Sequence, residues 1–286
     1  MDENTKPLSK YYRQPAIYIK FPSGGKYYAP TVVATTETNE HAVLPMTAKD
    51  ELAFKTPDAM MSGQATVDVI QSCIPDIKDA WQLVNYDIDS ILIAIRIASY
   101  GESMDVTTTV PKINEQVTHN LKLPDILAMV SQQDITDVAN LASGMKVKVK
   151  PLTYRQITMS QLKTFEQQRR YIQIQQNQSM TDEEKTKMFN DSFNALNQLN
   201  TEMLLSNIES ITLPDGVVVD DQAQIKEFVE NAESKLIKDL ENSLVKVRQQ
   251  GTMKPVRVQS TEEQIKNGAP TNYEVPITFD NANFFV

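Results

Sequence analysis

The sequence is poor in the residue types that build metal centres, disulfides and nucleophilic active sites. Its 286 residues include one cysteine, Cys73, and two histidines, His41 and His119. A single cysteine excludes an intramolecular disulfide, and this set is too small for the usual cysteine and histidine spacings of structural zinc. No histidine lies near Cys73 in the sequence, so we expect it to be a small core residue and not a nucleophile. We therefore predict no metal site and no cofactor.

Motifs that would indicate an enzyme are also missing. The chain has no G-x-S-x-G turn, no Walker motif and no dinucleotide-binding fingerprint. Gly24 and Gly25 separate two short strand-like runs, so a β-hairpin is favoured over a phosphate-binding loop, which needs more glycines before a helix. Asp134 and Asp137 are more typical of exposed carboxylates near helix ends than of a metal or acid–base pair. We predict no catalytic residues; a cell-wall hydrolase that uses two carboxylates is the enzymatic alternative.

Surplus positive charge and long uninterrupted apolar runs are lacking as well. The net charge is −9 and the sequence pI is about 4.9, which argues against a nucleic-acid-binding surface. Lys146, Lys148 and Lys150 alternate with apolar residues, and this pattern predicts a half-exposed strand in preference to a phosphate track. The first residues lack the apolar core of a signal peptide, and the richest apolar run is interrupted by charges. We expect no membrane insertion.

What the sequence does have is one strongly apolar helix. Residues 86–100 carry isoleucine, leucine and alanine round most of the helical circumference, a pattern typical of a helix buried in a core. Asp87 and Asp89 lie near its positively polarised N-terminus, and Gly101 follows as a stop. Arg96 is the one cation of this helix, and we expect it to reach solvent or pair with a carboxylate.

The elements around this helix predict an α+β fold that is mainly α-helical with small β-hairpins. Residues 1–16 indicate an extended N-terminal arm containing Tyr11 and Tyr12. Residues 17–150 are expected to form an α/β domain around helix 86–100, with hairpins at residues 17–28 and 105–123.

The second half of the chain is predicted to be largely helical. Residues 151–209 indicate a long helical hairpin, whose second helix starts at a capping box formed by Thr181 and Glu184. Residues 210–286 indicate a C-terminal amphipathic helix from about 221 to 249, followed by a final strand that returns to the core at the N-terminal hairpin. Phe284, Phe285 and Val286 form an apolar triplet that we expect to be buried, in this chain or in a neighbour.

Four stretches of the chain together resemble a known protein family. They are residues 18–28, 87–101, 210–216 and 279–285, and in this order they are similar to the base plate hub protein family of T4-type contractile-tailed bacteriophages. Members of that family often carry a cysteine-rich, zinc-ribbon-like element before the final strand. Here residues 256–273 contain no cysteine, so a polar loop is predicted in its place.

The resemblance implies a non-enzymatic structural or assembly component of the baseplate hub that acts through protein–protein contacts. A transient tail or hub assembly chaperone, absent from the mature virion, is the alternative. The implied partners are other baseplate or tail hub proteins, with the tape-measure protein as a further candidate. The implied location is the tail baseplate of the virion, and the host cytoplasm during assembly. As partner-binding residues we predict Tyr11, Tyr12, Phe284, Phe285 and Val286.

Overall fold

A computed structural model describes residues 8–55, 62–177 and 179–277. Its helices are α1 Ala48–Phe54, α2 Gln64–Cys73, α3 Asn85–Tyr100, α4 Leu123–Ser131, α5 Tyr154–Gln176, α6 Asp182–Ser206, α7 Gln222–Asn231, α8 Ser234–Arg248 and α9 Glu262–Lys266. Its strands are β1 Ile17–Ile19, β2 His41–Val43, β3 Ser103–Thr109, β4 Gln116–Lys122, β5 Val138–Asn140, β6 Lys146–Val149, β7 Ile208–Thr212, β8 Val218–Val219, β9 Val256–Gln259 and β10 Asn272–Val275.

The balance of these elements confirms the predicted fold class. Helix accounts for 48% of the structure and strand for 17%, and the strands form small antiparallel sheets. The chain divides into two compact units: unit 1 comprises residues 1–80, 87–133 and 251–286, and unit 2 comprises residues 81–86 and 134–250. The four-part division along the sequence stays a prediction.

Unit 1 is built on helix α3, which confirms the predicted helix over residues 86–100. Ile91, Ile93, Ala94 and Ile95 have no exposed surface, so three successive residues point into the core from different sides of the helix. A surface helix has one apolar stripe, whereas a helix that is apolar all round is buried by packing on most of its circumference. The distribution of isoleucine was therefore a sufficient signal for its central position.

The hairpin of β3 and β4 in unit 1 is also confirmed. Its strands pair antiparallel from Ser103 opposite Lys122 to Thr109 opposite Gln116. Lys112 and Asn114 adopt positive φ values of 73° and 54° in the connecting turn, a conformation that lysine rarely adopts and that asparagine tolerates better.

Two expectations for unit 1 are wrong. Strand β1 pairs with β2, with Ile17 opposite Val43, and residues 22–27 form turns instead of a returning hairpin strand. Strand β10 pairs with β9, with Val275 opposite Val256, and not with the N-terminal strands. Both errors have one cause: local sequence shows that a run is extended, but the partner of a strand is chosen by side chains that are distant in sequence.

The expected polar loop at residues 256–273 is likewise corrected. These residues form β9, α9 and the start of β10, and Thr261 begins α9 with a capping box to Gln264. Tyr273, Val275 and Ala269 pack with Val110 in a small apolar cluster. The segment is thus held by backbone pairing, a helix cap and apolar contacts.

Unit 2 contains a four-stranded antiparallel sheet in the order β5, β6, β7, β8. Along β6 the lysines are exposed and Val147 and Val149 are buried, so the interpretation of this run as a half-exposed strand is confirmed. Its buried side joins a core that includes Ile211 of β7 and the fully buried Leu240 and Leu244 of α8.

One long helix over residues 221–249 was expected, and the structure has two. Ala232 and Glu233 are extended, with ψ values of 158° and 137°, and they separate α7 from α8. Ile225 of α7 and Leu240 of α8 pack in the same core cluster. The break redirects the chain so that both helices cover this core, a requirement that helical periodicity alone does not reveal.

Helices α5 and α6 of unit 2 form the predicted helical hairpin. Each starts at a capping box, Thr153 with Gln156 and Thr181 with Glu184, so the second box is confirmed as the start of α6. The rings of Tyr171 and Phe189 are 4.7 Å apart between centroids. The buried residues of these two helices are only Thr158 and Ile174 in α5 and Ser192 and Leu199 in α6.

Candidate functional site

The first functional feature of unit 1 is a buried carboxylate at the start of helix α3. Asp87 has no exposed surface, and it accepts hydrogen bonds from the Ser23 amide at 2.8 Å, the Ser23 hydroxyl at 2.5 Å and the Tyr28 hydroxyl at 2.5 Å. Burial raises the pKa of Asp87, and the hydrogen bonds from Ser23 and Tyr28 oppose that rise. One carboxylate therefore fixes both ends of the turn at residues 23–28 to the core helix.

The hydrogen bonds between Asp87 and the turn at residues 23–28 disfavour the interpretation of this turn as a phosphate-binding loop. A cavity of about 380 Å³ lies beside the turn and is lined by Gly24, Gly25 and His41, among others. The Ser23 amide and hydroxyl are already used by Asp87, and a buried carboxylate at the base of the turn disfavours a second anion there. The turn is thus better explained as an anchored surface loop than as a phosphate site. The Nδ1 atom of His41 lies 3.1 Å from Asp76, and its ring stacks on Phe21 at 4.5 Å.

Two further polar contacts tie unit 1 to the same helix. Asp89 accepts a hydrogen bond from the Met253 amide at 2.7 Å, and burial raises the pKa of Asp89. At the other end of the helix, the Ser99 hydroxyl accepts from the Met46 amide at 2.9 Å. Helix α3 therefore fixes the backbone of three separate segments through side-chain acceptors in addition to its apolar surface.

Arg96 differs from its expected placement. It is 7% exposed, and its guanidinium carbon lies 4.5 Å from the centre of the Tyr100 ring. The Tyr100 hydroxyl in turn donates to Glu51 at 3.1 Å. Within the described ranges Arg96 has no ion pair with a carboxylate, and its cation lies over an aromatic face instead. Burial lowers the pKa of Arg96 and helps to raise that of Tyr100 to about 12.

Of the predicted partner-binding tyrosines, Tyr11 is the last residue of a short 3-10 turn, Ser9–Tyr11, and Tyr12 directly follows that turn, in the described part of the arm. Tyr11 is 75% exposed and Tyr12 is 61% exposed. The structure therefore presents both rings to solvent on the arm. Their role in binding a partner stays a prediction. Phe284, Phe285 and Val286 lie outside the described residues.

Arg13 holds the arm in place directly after these tyrosines. Its guanidinium donates to the Pro45 carbonyl at 2.9 Å, to the Ser72 carbonyl at 2.7 Å and hydroxyl at 2.9 Å, and to Asp50 at 3.3 Å. Asp50 is also the residue that closes the cap of α1, where it accepts from the Thr47 amide at 2.7 Å. Several charge-assisted hydrogen bonds from the forked guanidinium group of Arg13 fix the direction in which the arm leaves the rest of unit 1.

Cys73 lies beside the Arg13 guanidinium, in the core. It has no exposed surface, and burial, with a further contribution from Asp50, raises the pKa of its thiol to about 12. A thiol with this pKa contains almost no thiolate at neutral pH, and thiolate is the nucleophilic form. The interpretation of Cys73 as a core residue agrees with this position.

The second histidine of the chain, His119, contacts a tyrosine. The Nε2 atom of His119 lies 2.9 Å from the Tyr273 hydroxyl, on the β3–β4 hairpin of unit 1. In the ranges that the structure describes, no group of three or more His, Cys, Asp or Glu residues has a geometry that could hold a metal ion. None of the described helices combines the length and hydropathy needed to cross a bilayer.

The helical hairpin of unit 2 carries an apolar groove. Its volume is about 650 Å³, and it is lined by Gln167, Gln168, Tyr171, Ile172, Phe189, Asn190, Ser192, Phe193 and Leu196. Tyr171, Ile172 and Phe193 are 51%, 52% and 63% exposed. Large apolar side chains clustered in one exposed groove are characteristic of interaction surfaces. The groove and the arm are the two candidate partner-binding surfaces of the described chain.

The hydrogen bonds of Asp87 and the apolar groove of the hairpin were not predicted from the sequence, for different reasons. Asp87 was assigned to the dipole of α3, although a carboxylate at a buried helix start also needs hydrogen-bond donors, and Ser23 and Tyr28 are too distant in sequence to be paired with it by inspection. The spacing of Phe189, Phe193 and Leu196 along the second helix predicts that Phe193 faces inward, but it is exposed. The signal that could have placed it outside was the width of the apolar face of α6, which exceeds what a single partner helix covers.

The chain was compared with models of known protein families, with curated proteins and with solved structures. The model of a family described as T4 bacteriophage base plate protein matches residues 16–268. No curated protein and no solved structure matches the chain.

Proposed function

Because this chain belongs to the T4 bacteriophage base plate protein family, we propose that it is a non-enzymatic structural or assembly component of the baseplate hub. The observation that carries this proposal is the family match over most of the chain. The described structure supports it, because unit 1 presents an anchored arm with two exposed aromatic rings. Such features suit permanent contacts between proteins better than chemistry.

The partners that we propose are other phage baseplate or tail hub proteins, with the tape-measure protein as a candidate. Tyr11 and Tyr12 are suited to such contacts because aromatic rings with a polar tip are enriched in the centres of protein interfaces. Arg13 restricts the arm before binding, so less conformational entropy is lost when a partner docks. Phe284, Phe285 and Val286 are proposed to contribute apolar contacts of the same kind.

Quantitative mass spectrometry of purified phage particles and of infected-cell lysate tests the hub assignment. A fixed ratio to known baseplate subunits in the particles is expected of a hub component. Abundance in lysate together with absence from particles would instead identify the transient assembly chaperone, which acts in the host cytoplasm. Clearing of peptidoglycan by the purified chain would overturn the non-enzymatic assignment.

The arm is tested by the double variant Tyr11→Ala and Tyr12→Ala. We expect baseplate subunits to co-purify with the wild-type chain from infected cells and to be lost with this variant. Tyr18→Ala is the matched control, because Tyr18 is 64% exposed but lies on β1. Equal recovery of the subunits with all three proteins would remove the arm from the proposed interface.

A further inference from the structure

A small apolar pocket of unit 1 lies between helix α4 and the residues that lead into strand β9. Its volume is about 290 Å³, and its walls include the side chains of Ile126, Met129 and Val130 from α4 and of Val256 from β9. Ile126 and Val130 are buried, whereas Met129 is 57% exposed. Roughly 150 Å³ of apolar cavity is enough to hold a benzene ring, so this pocket has room for an aromatic side chain.

The backbone around the pocket is held in place by side-chain hydrogen bonds. The side-chain amide of Gln133 accepts from the Gly251 N–H at 2.9 Å and donates to the Thr252 carbonyl at 3.3 Å. Gln133 therefore ties the end of α4 to the segment before β9, and the next residue of that segment, Met253, donates its amide to Asp89. Because both walls are bonded to their surroundings, the pocket is a preformed feature of unit 1.

Strand β10 directs the C-terminal residues towards this pocket. Its register places Val275 opposite Val256 in an antiparallel pair, so the chain after Val275 leaves in the direction of the residues that precede Val256. One of these, Lys254, also lines the pocket. Directly opposite residues of an antiparallel pair lie on the same face, so Val275 shares a face with a wall of the pocket. The tail, residues 278–286, lies outside the described residues and begins three positions after this pair.

The sequence that leads into the tail alternates between apolar residues and others. The apolar positions are Tyr273, Val275, Ile277 and Phe279, and the positions between them are Glu274, Pro276 and Thr278. Side chains two apart in an extended chain point to the same face, so Phe279 is expected on the face of Val275. At about 3.3 Å per extended residue, the four steps from Val275 to Phe279 span roughly 13 Å. The pocket wall at Val256, the direct neighbour of Val275, is within that reach.

We propose that Phe279 of the same chain fills this pocket and thereby anchors the C-terminal tail to unit 1. A ring placed there removes the exposed surface of Met129 from water, and a methionine sulfur makes favourable contacts with aromatic rings. Phe279 is the first large apolar side chain beyond the described residues. Phe284 and Phe285 follow it by five and six positions, so the anchor leaves them on a short tether.

The anchor has a consequence for partner binding that rests on the proposed function. Arg13 holds the N-terminal arm directly after Tyr12, and Phe279 in the pocket holds the C-terminal tail shortly before Phe284. A tail that is restricted before binding loses less conformational entropy when a partner docks. The docking of Phe279 itself depends only on the pocket and the register of β10, and it can be tested on the purified chain without any other phage protein.

Methionine oxidation by dilute hydrogen peroxide, followed by peptide mass spectrometry, tests whether the pocket is filled. In the described residues Met129 is 57% exposed and Met159 of α5 is 47% exposed, so an open pocket predicts that Met129 is oxidised at least as fast as Met159. We expect the reverse order in the wild-type full chain, with Met129 oxidised several-fold more slowly, because the Phe279 ring covers it. Equal or faster oxidation of Met129 would overturn the proposal and leave the proposed function standing.

Phenylalanine variants of the tail identify the occupant. We expect Phe279→Ala to raise the oxidation rate of Met129 to that of Met159, and an unchanged rate at Met159 shows that the variant is folded. Phe285→Ala is the matched control, because it removes the same ring from the same tail and should leave Met129 protected. Protection that survives Phe279→Ala, or that only Phe285→Ala removes, would show that another group fills the pocket. Protection that is lost on dilution would assign the pocket to the tail of a second copy and contradict docking within one chain.

Discussion

Helix α3 of unit 1 and the α5–α6 hairpin of unit 2 are both long helical elements, but they are stabilised in different ways. Helix α3 has fully buried isoleucines, and its buried Asp87 and partly buried Asp89 accept hydrogen bonds from groups that are distant in sequence. The hairpin has local capping boxes, many exposed residues and two buried residues in each helix. A long helix can therefore form the packed centre of a unit or expose much of its surface to solvent, and polar acceptors bonded to distant segments are found in the first kind.

The largest effect is expected from removing the buried acceptor of α3. Asp87→Ala leaves the Ser23 amide, the Ser23 hydroxyl and the Tyr28 hydroxyl without this acceptor, and we expect a loss of about 3 kcal/mol in the free energy of unfolding. Urea denaturation measures it. Asp68→Ala, which removes an exposed acceptor on α2, is the control and should change stability by less than about 0.5 kcal/mol. Equal losses in the two variants would show that the Asp87 contacts are not what holds the turn.

The next effect concerns the arm. Arg13→Lys retains the charge but removes the fork that reaches the Pro45 and Ser72 carbonyls, so we expect a loss of about 1–2 kcal/mol and faster proteolysis at residues 8–13. Arg169→Lys, an exposed position on α5, makes the same chemical change on the hairpin and should be close to neutral. If both variants resisted protease like the wild type, the arm would not depend on the fork.

A pH-dependent effect is expected from Asp89. Burial raises the pKa of Asp89 in the folded state, so folding favours the protonated form of this carboxyl group. The stability that protonated Asp89 contributes is fully present below the ordinary aspartate pKa and is lost as pH rises through the raised pKa. Asp89→Asn retains an acceptor for the Met253 amide but does not ionise. The free energy of unfolding of the wild type should therefore fall relative to that of the variant as pH rises from about 4. The total fall should be about 1.4 kcal/mol for each pH unit by which the pKa of Asp89 in the folded state exceeds the ordinary aspartate pKa.

Both proteins contain Asp87, so the difference between their two stability curves isolates Asp89. Urea midpoints at closely spaced pH values from mildly acidic to neutral measure that difference. Curves that run parallel throughout would contradict a raised pKa at Asp89.

The smallest effect is expected in the hairpin. Thr181→Ala removes the side-chain acceptor for the Glu184 amide at the start of α6, which typically costs about 1 kcal/mol. Since the hairpin has few buried residues, we expect the loss to appear as faster amide hydrogen exchange in the first turns of α6, with exchange in α3 unchanged. Thr186→Ala, within the same helix, is the control. Faster exchange in α3 as well would show that the two elements unfold together.

Much of the helical architecture could be predicted from local pattern. The apolar residues of α3 predicted a buried helix, and Thr181 with Glu184 located the start of α6 within a residue, because periodicity and capping act over one or two turns. The sheet partners could not be predicted in this way. The pairing of Ile17 with Val43 and the break at Ala232 depend on which surfaces meet, and no residue near either position carries that information.

The candidate surfaces were predicted in part. The exposure of Tyr11 and Tyr12 agrees with an arm that carries polar-tipped rings, but Arg13, which positions the arm, was not recognised, since its acceptors lie on residues 45, 50 and 72. The apolar side chains of the hairpin were recognised, but their division between an inner face and an exposed groove was not. That division depends on how α5 covers α6, which spacing along one helix does not specify.

Residue types and neighbours within a few positions were sufficient to predict the class of fold, the family and the start of α6 at Thr181, because composition, periodicity and capping act over short stretches of chain. The bonds of Asp87 to Ser23 and Tyr28, the position of Arg96 over Tyr100 and the place of Phe193 in a groove became visible in the folded chain alone. The physical reason is that hydrogen bonding, desolvation and burial act between groups that folding brings together, whatever their separation along the chain.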